Sequence, residues 1–163
     1  MINHVVYLGL GSNLGDRETN IEKAIKKIEE SVGLIDRRSS FYYSKPWGFH
    51  SENNFVNVVI CVITKLEPRE LLFTTQRIER SMGRTEKSIN KEYHDREIDI
   101  DILIYDDIHI NEPDLQIPHP LMAERDFVIQ PLNEIFFFFL RVCIAFFVFN
   151  LVTLHSFKER YTE

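Results

Sequence analysis

The chain has little cysteine, no excess of positive charge and no visible repeat, and each of these features excludes a class of protein. Its 163 residues include two cysteines, Cys61 and Cys143, which form neither a disulfide framework nor a metal-ligand spacing. A count of 19 Lys and Arg against 25 Asp and Glu gives a net charge of −6, which argues against a general nucleic-acid binder. An anionic small ligand is still compatible with this charge, because local charge decides whether it binds.

A signal peptide at the N-terminus is also lacking, and together with the few cysteines this predicts a reducing cytoplasm. The length predicts one domain that is large enough for a proper core. Residues 136–152, FFFFLRVCIAFFVFNLV, are almost wholly apolar. A membrane span needs roughly 20 apolar residues, and Arg141 and Asn150 interrupt this segment.

Hydrophobic periodicity predicts the order strand, helix, strand, strand, helix, strand. The strands are predicted over residues 4–11, 34–44, 55–64 and 96–105, and the helices between Asp16 and Gly33 and between Pro68 and Gly83. This order is the split β-α-β arrangement of ferredoxin-like folds. The predicted fold class is therefore α+β, with an antiparallel sheet and both helices on one face.

Two features around this core predict where a ligand would bind. The second face of the sheet is expected to be free for a ligand or for further chain. The loops at residues 44–54 and 83–96 are long for a compact domain, and loops of this kind often act as lids.

The last predicted strand carries acidic residues at alternate positions. In HDREIDIDILIY, residues 94–105, every second residue from Asp95 to Asp101 is acidic, and Ile98, Ile100 and Ile102 are the apolar residues that alternate with them. Asp99 and Asp101 should point the same way, about 6–7 Å apart, because side chains on a strand alternate between faces. One interpretation is a solvated face, and the other is a pair of oxygen ligands for a hard cation. The nearby Arg96 favours the second, because an arginine beside a metal site describes a phosphate clamp.

Three further motifs are ambiguous on their own. The glycine-rich GLGSNLGD, residues 9–16, favours a tight strand-to-helix turn over a phosphate cradle. Gln76 and Glu79 lie one helical turn apart, which alone indicates a solvated helix face. In IPHPLMAERDF, residues 117–127, a lone His119 would be structural, and the nearby Arg125 makes a phosphate contact plausible.

Six segments together resemble one known family. They are GLGSNLGD, SSFYYSKPWG, NFVNVVICV, TQRIERSMGR, REIDIDILIY and IPHPLMAERDFVIQPLNEI, in that order between about Val5 and Ile135. This combination is similar to the 6-hydroxymethyl-7,8-dihydropterin pyrophosphokinases of folate biosynthesis. The resemblance implies transfer of the whole pyrophosphoryl group from ATP to the hydroxymethyl oxygen of the pterin, which leaves AMP. Two alternatives stay open: another Mg-dependent nucleotidyl or phosphoryl transferase, and a non-catalytic small-molecule-binding domain of the same fold.

The resemblance also implies which residues form the site. Two Mg²⁺ ions would be held against the ATP phosphates by Asp99 and Asp101. The phosphates would be contacted by Arg84, Arg96, His119 and Arg125, and the nucleotide site would be lined by Gln76 and Glu79. The pterin would lie between Phe55 and Phe127, hydrogen-bonded to Asn57, with main chain around Ser44, Lys45 and Trp47 completing the pocket. The catalytic set would be Arg84, Arg96, Asp99 and Asp101. The expected partners are the two small substrates alone, with no nucleic acid or membrane, and the expected state is a monomer.

The resemblance ends close to residue 135. It implies a pyrophosphokinase domain over residues 1–135 and an atypical apolar segment over residues 136–163. The family continues with a proline-containing segment and an amphipathic stretch, whereas this chain has four consecutive phenylalanines from Phe136. Such a run implies a T-rich coding tract that is prone to slippage, so the first hypothesis is a frameshift near Phe136. A membrane tail is the second hypothesis and a native buried helix the third.

Overall fold

The first strand and helix follow the sequence pattern closely. The structure, a computed structural model, describes residues 2–83 and 94–136. Strand β1 (His4–Ser12) leads into helix α1 (Arg17–Ser31). The carboxylate of Asp16 accepts a hydrogen bond from the Thr19 backbone N–H at 3.1 Å. This contact satisfies an amide that has no partner inside the helix, so the predicted N-cap is confirmed.

The remaining elements build one antiparallel sheet and a separate hairpin. They are β2 (Gly33–Arg38), β3 (Tyr42–Ser44), β4 (Phe55–Thr64), α2 (Pro68–Ser81), β5 (Asp99–Tyr105), β6 (Ile110–Glu112), β7 (Leu115–Ile117), a short 3-10 helix (Met122–Glu124) and α3 (residues 126–136). The strand order is β2-β4-β1-β5, and β3 also pairs with β4. All these strand pairs are antiparallel. The predicted ferredoxin-like fold is confirmed.

Helices α1 and α2 cover the first face of the sheet. The core on this side joins even-numbered residues of β1, β4 and β5 to the apolar stripes of both helices. Its fully buried members include Val6, Leu8, Ile21, Ile28, Val56, Ile60 and Leu71. Burial of a side chain of this size stabilises a fold by roughly 1.5–3 kcal/mol, so this layer is the main source of stability.

The second face is divided between an apolar half and an open half. In the apolar half α3 packs on the sheet through Val128, Leu132 and Ile135, which meet Tyr7, Val59, Cys61 and Leu103. The carboxylate of Glu134 accepts hydrogen bonds from the Ser40 backbone N–H at 3.0 Å and from its hydroxyl at 2.8 Å. The prediction that this face would receive further chain or a ligand fits both halves: α3 covers the apolar half, and its first turn, with Phe127 and Val128, borders the open half.

The predicted strand over residues 34–44 is wrong as a single element. It is interrupted between Arg38 and Tyr42, where Ser39 takes over the pairing with β4. The Ser39 backbone N–H donates to the Val59 carbonyl at 2.9 Å, and its hydroxyl accepts from the Val59 backbone N–H at 3.0 Å. A serine hydroxyl can replace a backbone acceptor in this way, which period-two alternation does not reveal.

The predicted row of four carboxylates on one strand is also wrong. Strand β5 begins at Asp99, so Asp95 and Glu97 precede it. Of the four acids, Asp99 and Asp101 alone lie on this strand, both on the second face of the sheet. The hairpin β6–β7 was not predicted either, because its strands are too short for alternation to stand out.

None of the helices within residues 2–83 and 94–136 has the length and apolarity that crossing a membrane requires. Residues 137–163, on which the frameshift, membrane-tail and buried-helix hypotheses depend, lie outside the described residues. The domain boundary at residue 135 therefore stays a prediction.

Candidate active site

Two glycines form the floor of a cleft on the open half of the sheet. Gly11 pairs with Asn57 on one side and with Asp99 on the other, and Gly9 pairs in the same way with Val59 and Asp101. The cleft above them contains about 580 Å³ of non-protein space, part of which is open to solvent. An added Cβ at Gly11 would lie 3.1 Å from Oδ1 of Asn57, so a side chain there would intrude into this space.

One side of the cleft is charged. Nη2 of Arg96 lies 2.7 Å from Oδ2 of Asp99, and Nη1 of Arg125 lies 3.6 Å from Oδ2 of Asp101. The Arg125 residue is only 6% exposed, whereas the Asp101 side chain is 35% exposed, so this ion pair reaches solvent on its carboxylate side. Carboxylates and guanidinium groups thus alternate along this wall, which suits an anionic ligand together with a cation.

The other side of the cleft is aromatic, and the arginines connect it to the charged side. The guanidinium carbon of Arg125 lies 4.7 Å from the ring centre of Trp47 and 5.7 Å from that of Phe127. The guanidinium carbon of Arg96 lies 5.3 Å from the ring centre of Phe55. Each arginine therefore contacts a carboxylate and also lies near an aromatic ring, so the two sides share a boundary.

Asn57 presents its carbonyl oxygen to the cleft. The residue is 5% exposed, and its Nδ2 donates to the Tyr42 carbonyl at 3.2 Å and to Oγ of Ser44 at 3.0 Å. Both amide hydrogens are used by β3, while Oδ1 lies over Gly11. Asn57 is thus placed to accept a hydrogen bond from a ligand.

His119 is a neutral ring beside the charged wall. Its Nδ1 accepts from the Leu121 backbone N–H at 3.2 Å, which places the ring proton on Nε2. Burial, and secondly the charge of Arg125, lower the pKa of His119 to about 4, although the charge of Asp99 opposes this. The ring can therefore donate a hydrogen bond from Nε2 without carrying a charge near neutral pH.

The cleft brings together most of the residues that the sequence pointed to. Among its lining residues are Ser44, Lys45, Trp47, Phe55, Asn57, Arg96, Asp99, Asp101, Arg125 and Phe127. Gln76 and Glu79 are on α2, outside this lining, and the buried carboxylate of Glu79 accepts from the Ile100 backbone N–H at 2.8 Å. Glu79 thus holds the strand between the two aspartates. Arg84 lies outside the described residues.

Several lining residues were missed by the sequence analysis. Phe49 lies edge-on to Phe55, with 6.2 Å between the ring centres, and its only signal was an aromatic residue in a turn-rich loop. Gly9 and Gly11 lie within β1, and only Gly15, with φ of 61°, belongs to the predicted turn. Glycines at alternate strand positions, one on each side of Leu10, were the available signal for a face of the strand without side chains.

Comparison with known proteins decides the family. The family model described as 7,8-dihydro-6-hydroxymethylpterin-pyrophosphokinase (HPPK) matches residues 7–136. The chain belongs to the HPPK family. The resemblance inferred from the six sequence segments is therefore confirmed.

Curated relatives in the HPPK family cover most of this chain. A 2-amino-4-hydroxy-6-hydroxymethyldihydropteridine pyrophosphokinase of Porphyromonas gingivalis is 46% identical over 132 residues, which are 80% of this chain and 90% of the relative. The enzyme of the same name from Aquifex aeolicus is 48% identical over 130 residues, 80% of this chain and 79% of the relative. That of Bacillus subtilis is 38% identical over 135 residues, 82% of this chain and 79% of the relative.

Solved structures support the fold. An HPPK-DHPS triple mutant of Plasmodium falciparum is similar with a TM-score of 0.63 and 18% identity, over 82% of this chain and 40% of that chain. An HPPK-DHPS in complex with substrates has a TM-score of 0.65 and 14% identity, over 83% of this chain and 40% of that chain. This chain therefore spans about two fifths of the length of these larger HPPK-DHPS chains, and at such identity the likeness concerns the fold alone.

Proposed function

We propose that this chain transfers the pyrophosphoryl group of ATP to the hydroxymethyl oxygen of 6-hydroxymethyl-7,8-dihydropterin, a step of folate biosynthesis. Membership of the HPPK family supports the reaction. The observation that supports it most directly is the shared boundary in the cleft, where Arg96 and Arg125 contact carboxylates and also lie near aromatic rings. A flat heterocycle on the aromatic side would place its substituent next to phosphates on the charged side.

The aromatic side is suited to the pterin. Phe55 and Phe127 offer ring faces for stacking, and Trp47 extends the same wall. Oδ1 of Asn57 would accept from an N–H group of the pterin ring, because its own amide hydrogens already bind β3. Ser44 and Lys45 would complete the rim.

The charged side is suited to the triphosphate and Mg²⁺. Asp99 and Asp101 would hold the metal, for which we propose two ions, since Mg²⁺ prefers one or two carboxylates completed by phosphate oxygens and water. Within residues 2–83 and 94–136 no three His, Cys, Asp or Glu side chains form a metal-binding group, so the phosphates would supply the other ligands. When bound, Mg²⁺ would neutralise phosphate charge in the transition state.

The arginines would exchange partners when the substrates bind. Arg96 and Arg125 now face Asp99 and Asp101, and phosphate oxygens could take over their N–H groups when the carboxylates turn to the metal. His119 would add one neutral donor through Nε2. Gln76 and Glu79 would lie toward the nucleoside, and Arg84 would add a further phosphate contact, as the family resemblance implies.

The reaction needs positioning more than covalent participation by the protein. The hydroxymethyl oxygen forms a bond to the β-phosphorus of ATP, and the bond from that phosphorus to the α,β-bridging oxygen breaks. AMP leaves with that oxygen, and the hydroxyl proton passes to solvent. Residues of the cleft hold both substrates in line and balance the charge, which is where phosphoryl-type transfer gains most of its rate.

The test is an incubation of the full chain with ATP, Mg²⁺ and 6-hydroxymethyl-7,8-dihydropterin, followed by separation of the nucleotides and ³¹P NMR. We expect equal amounts of AMP and pterin diphosphate. Formation of ADP would indicate a simple kinase, and release of pyrophosphate would indicate nucleotidyl transfer. Either result, or the absence of turnover, would contradict the proposal.

Replacing Asn57 by Ala tests the division of the cleft. The variant should bind the pterin about ten- to a hundredfold more weakly, because a buried hydrogen bond and its geometry are lost. Binding of a non-hydrolysable ATP analogue should change little. Calorimetry of both ligands separates the two effects, and equal losses would contradict the placement of the pterin.

The predicted monomeric state, the lack of a nucleic-acid partner and the cytoplasmic location stay predictions. Light scattering of the purified chain would test the first of these directly.

A further inference from the structure

Asp95 joins two segments that border the cleft from different sides. Its Oδ1 accepts a hydrogen bond from Nδ2 of Asn13 at 2.6 Å, and its Oδ2 accepts from Nδ2 of Asn53 at 2.7 Å. Asn13 directly follows β1, whereas Asn53 lies near the end of the loop between β3 and β4. Hydrogen bonds to a carboxylate are stronger than those between neutral groups, so Asp95 holds the two asparagines firmly.

Asn13 also fixes the backbone of Arg96. The Asn13 backbone N–H donates to the Arg96 carbonyl at 3.1 Å, and the Arg96 backbone N–H donates to Oδ1 of Asn13 at 2.8 Å. Asn13 is 2% exposed, so water does not compete for these bonds. The peptide from which the Arg96 side chain reaches Asp99 is thereby held from both sides.

Asn53 connects the same carboxylate to the aromatic wall. The loop that contains Asn53 also carries Lys45, Trp47 and Phe49, all of which line the cleft. Hydrogen bonding from Ser51 first, and also from Asn53 and Asn13, holds the pKa of Asp95 below its ordinary value. The carboxylate is therefore charged at neutral pH and keeps both oxygens as acceptors.

We infer that Asp95 is a positioning residue that couples the aromatic loop, residues 45–54, to the placement of Arg96. The inference rests on the proposed function, because it assigns a role in bringing the pterin and the phosphates together. A carboxylate between the two segments keeps the aromatic side and the guanidinium at a fixed separation. Misplacement of reacting groups by about 1 Å can cost a hundredfold in rate.

The first test uses Trp47, the single tryptophan of the chain, as a reporter that does not depend on turnover. In Asp95→Ala the loop should loosen, so acrylamide should quench Trp47 fluorescence at least twofold more strongly than in the wild type. The matched control is Glu22→Gln, since the Glu22 carboxylate also accepts two hydrogen bonds, from Arg38 at 2.6 and 2.8 Å, outside the cleft. That control should leave quenching unchanged.

Kinetics supply the second readout. In Asp95→Ala the KM for the pterin should rise and kcat should fall, with kcat/KM at least tenfold below the wild type. A residue with a merely structural role would lower the unfolding temperature but leave KM and quenching at the assay temperature as they are, and that outcome would overturn the inference.

An exchange of groups between positions 95 and 53 provides the rescue. Asp95→Asn faces two asparagine amides with one acceptor, and Asn53→Asp places two carboxylates against each other, so each single variant should lose activity. In the double variant the new carboxylate at position 53 accepts from the new amide at position 95, while the carbonyl oxygen of that amide accepts from Asn13. Both bonds return with unchanged composition, so kcat/KM and quenching should recover to within threefold of the wild type. A double variant no better than the worse single variant would overturn the inference.

These readouts separate the inference from the proposed function. If the wild type forms no AMP, the proposed function fails. The quenching of Trp47 in the variants at positions 95 and 53 still reports on the coupling in that case. If the wild type forms AMP and Asp95→Ala matches it in quenching and kinetics, the inference fails alone.

Discussion

Asp99 and Asp101 each place a negative charge in the charged wall of the cleft, on β5 opposite a glycine of β1. Replacement of either by Asn keeps the shape but removes a charged oxygen ligand for Mg²⁺. We expect AMP formation to fall by about a hundredfold or more, roughly 3 kcal/mol of transition-state stabilisation. Asp107→Asn, an exposed carboxylate just beyond the other end of the same strand, is the control and should retain its activity. A near-normal rate for both the Asp99 and the Asp101 variant would exclude the metal assignment.

His119 makes the stability of the ligand-free protein depend on pH. Its pKa is lowered to about 4 by burial, then by Arg125, whereas an unfolded histidine titrates near 6.5. Between these values the unfolded chain binds a proton that the folded chain does not, so stability is complete above pH 6.5 and declines as the pH falls toward 4. The partly exposed ring should contribute about 1–2 kcal/mol to this decline.

Urea unfolding of the wild type and of His119→Gln at pH 7 and pH 4.5 isolates this contribution from that of the carboxylates. The difference in the free energy of unfolding between wild type and His119→Gln should change by about 1–2 kcal/mol between pH 7 and pH 4.5. His109→Gln, at an exposed site, should show no such change. A pH-independent difference for His119→Gln would mean that the ring is not buried in its neutral form.

The interruption between β2 and β3 makes one buried hydroxyl important for the shape of the sheet. Ser39, 4% exposed, replaces a ladder contact by accepting from the Val59 backbone N–H at 3.0 Å. Ser39→Ala should lower the free energy of unfolding by about 1–3 kcal/mol, because it leaves a buried amide without its acceptor. Ser31→Ala, whose exposed hydroxyl binds only its own helix at Lys27, should cost less than about 0.5 kcal/mol by urea unfolding. Similar losses in both variants would contradict this role.

The elements that could be predicted from sequence are those with a long, regular pattern. Helix α1, with Ile21, Ala24 and Ile28 buried, and helix α2 repeat apolar residues at helical spacing. Strand β4 is apolar over most of its length, with Asn57 as an exception. The interruption at Ser39 depends on a hydroxyl that binds the neighbouring strand, a contact between residues far apart in the chain. Such contacts leave no periodic signal.

The same distinction applies to the cleft. Alternation along the chain correctly placed Asp99 and Asp101 on one face. It could not separate them from Asp95, because the β5 ladder begins only at Asp99 and two asparagines of other segments bind Asp95 instead. The partners of Arg96 and Arg125 could likewise be found only once the fold had brought the loops to the sheet.

Nucleotide binding should stabilise the molecule only when the metal is present. With Mg²⁺, a non-hydrolysable ATP analogue and the pterin, each at about a hundred times its Kd, the unfolding midpoint should rise by about 10–20 °C. EDTA should abolish the part of the shift due to the nucleotide, because Asp99 and Asp101 would then repel the phosphates. Calorimetric scans with and without EDTA make the comparison. An identical shift in both would favour a binding domain that does not use Mg²⁺.

The glycine floor has a consequence for how this sequence can vary. Along residues 8–11, 55–58 and 99–102, odd-numbered side chains face the cleft and even-numbered side chains face the helices. Substitutions at neighbouring positions should therefore divide by parity, with odd positions altering substrate affinity and even positions altering folding. The strands at the cleft can thus change specificity without loss of their core, because the two tasks are separated by the thickness of the sheet.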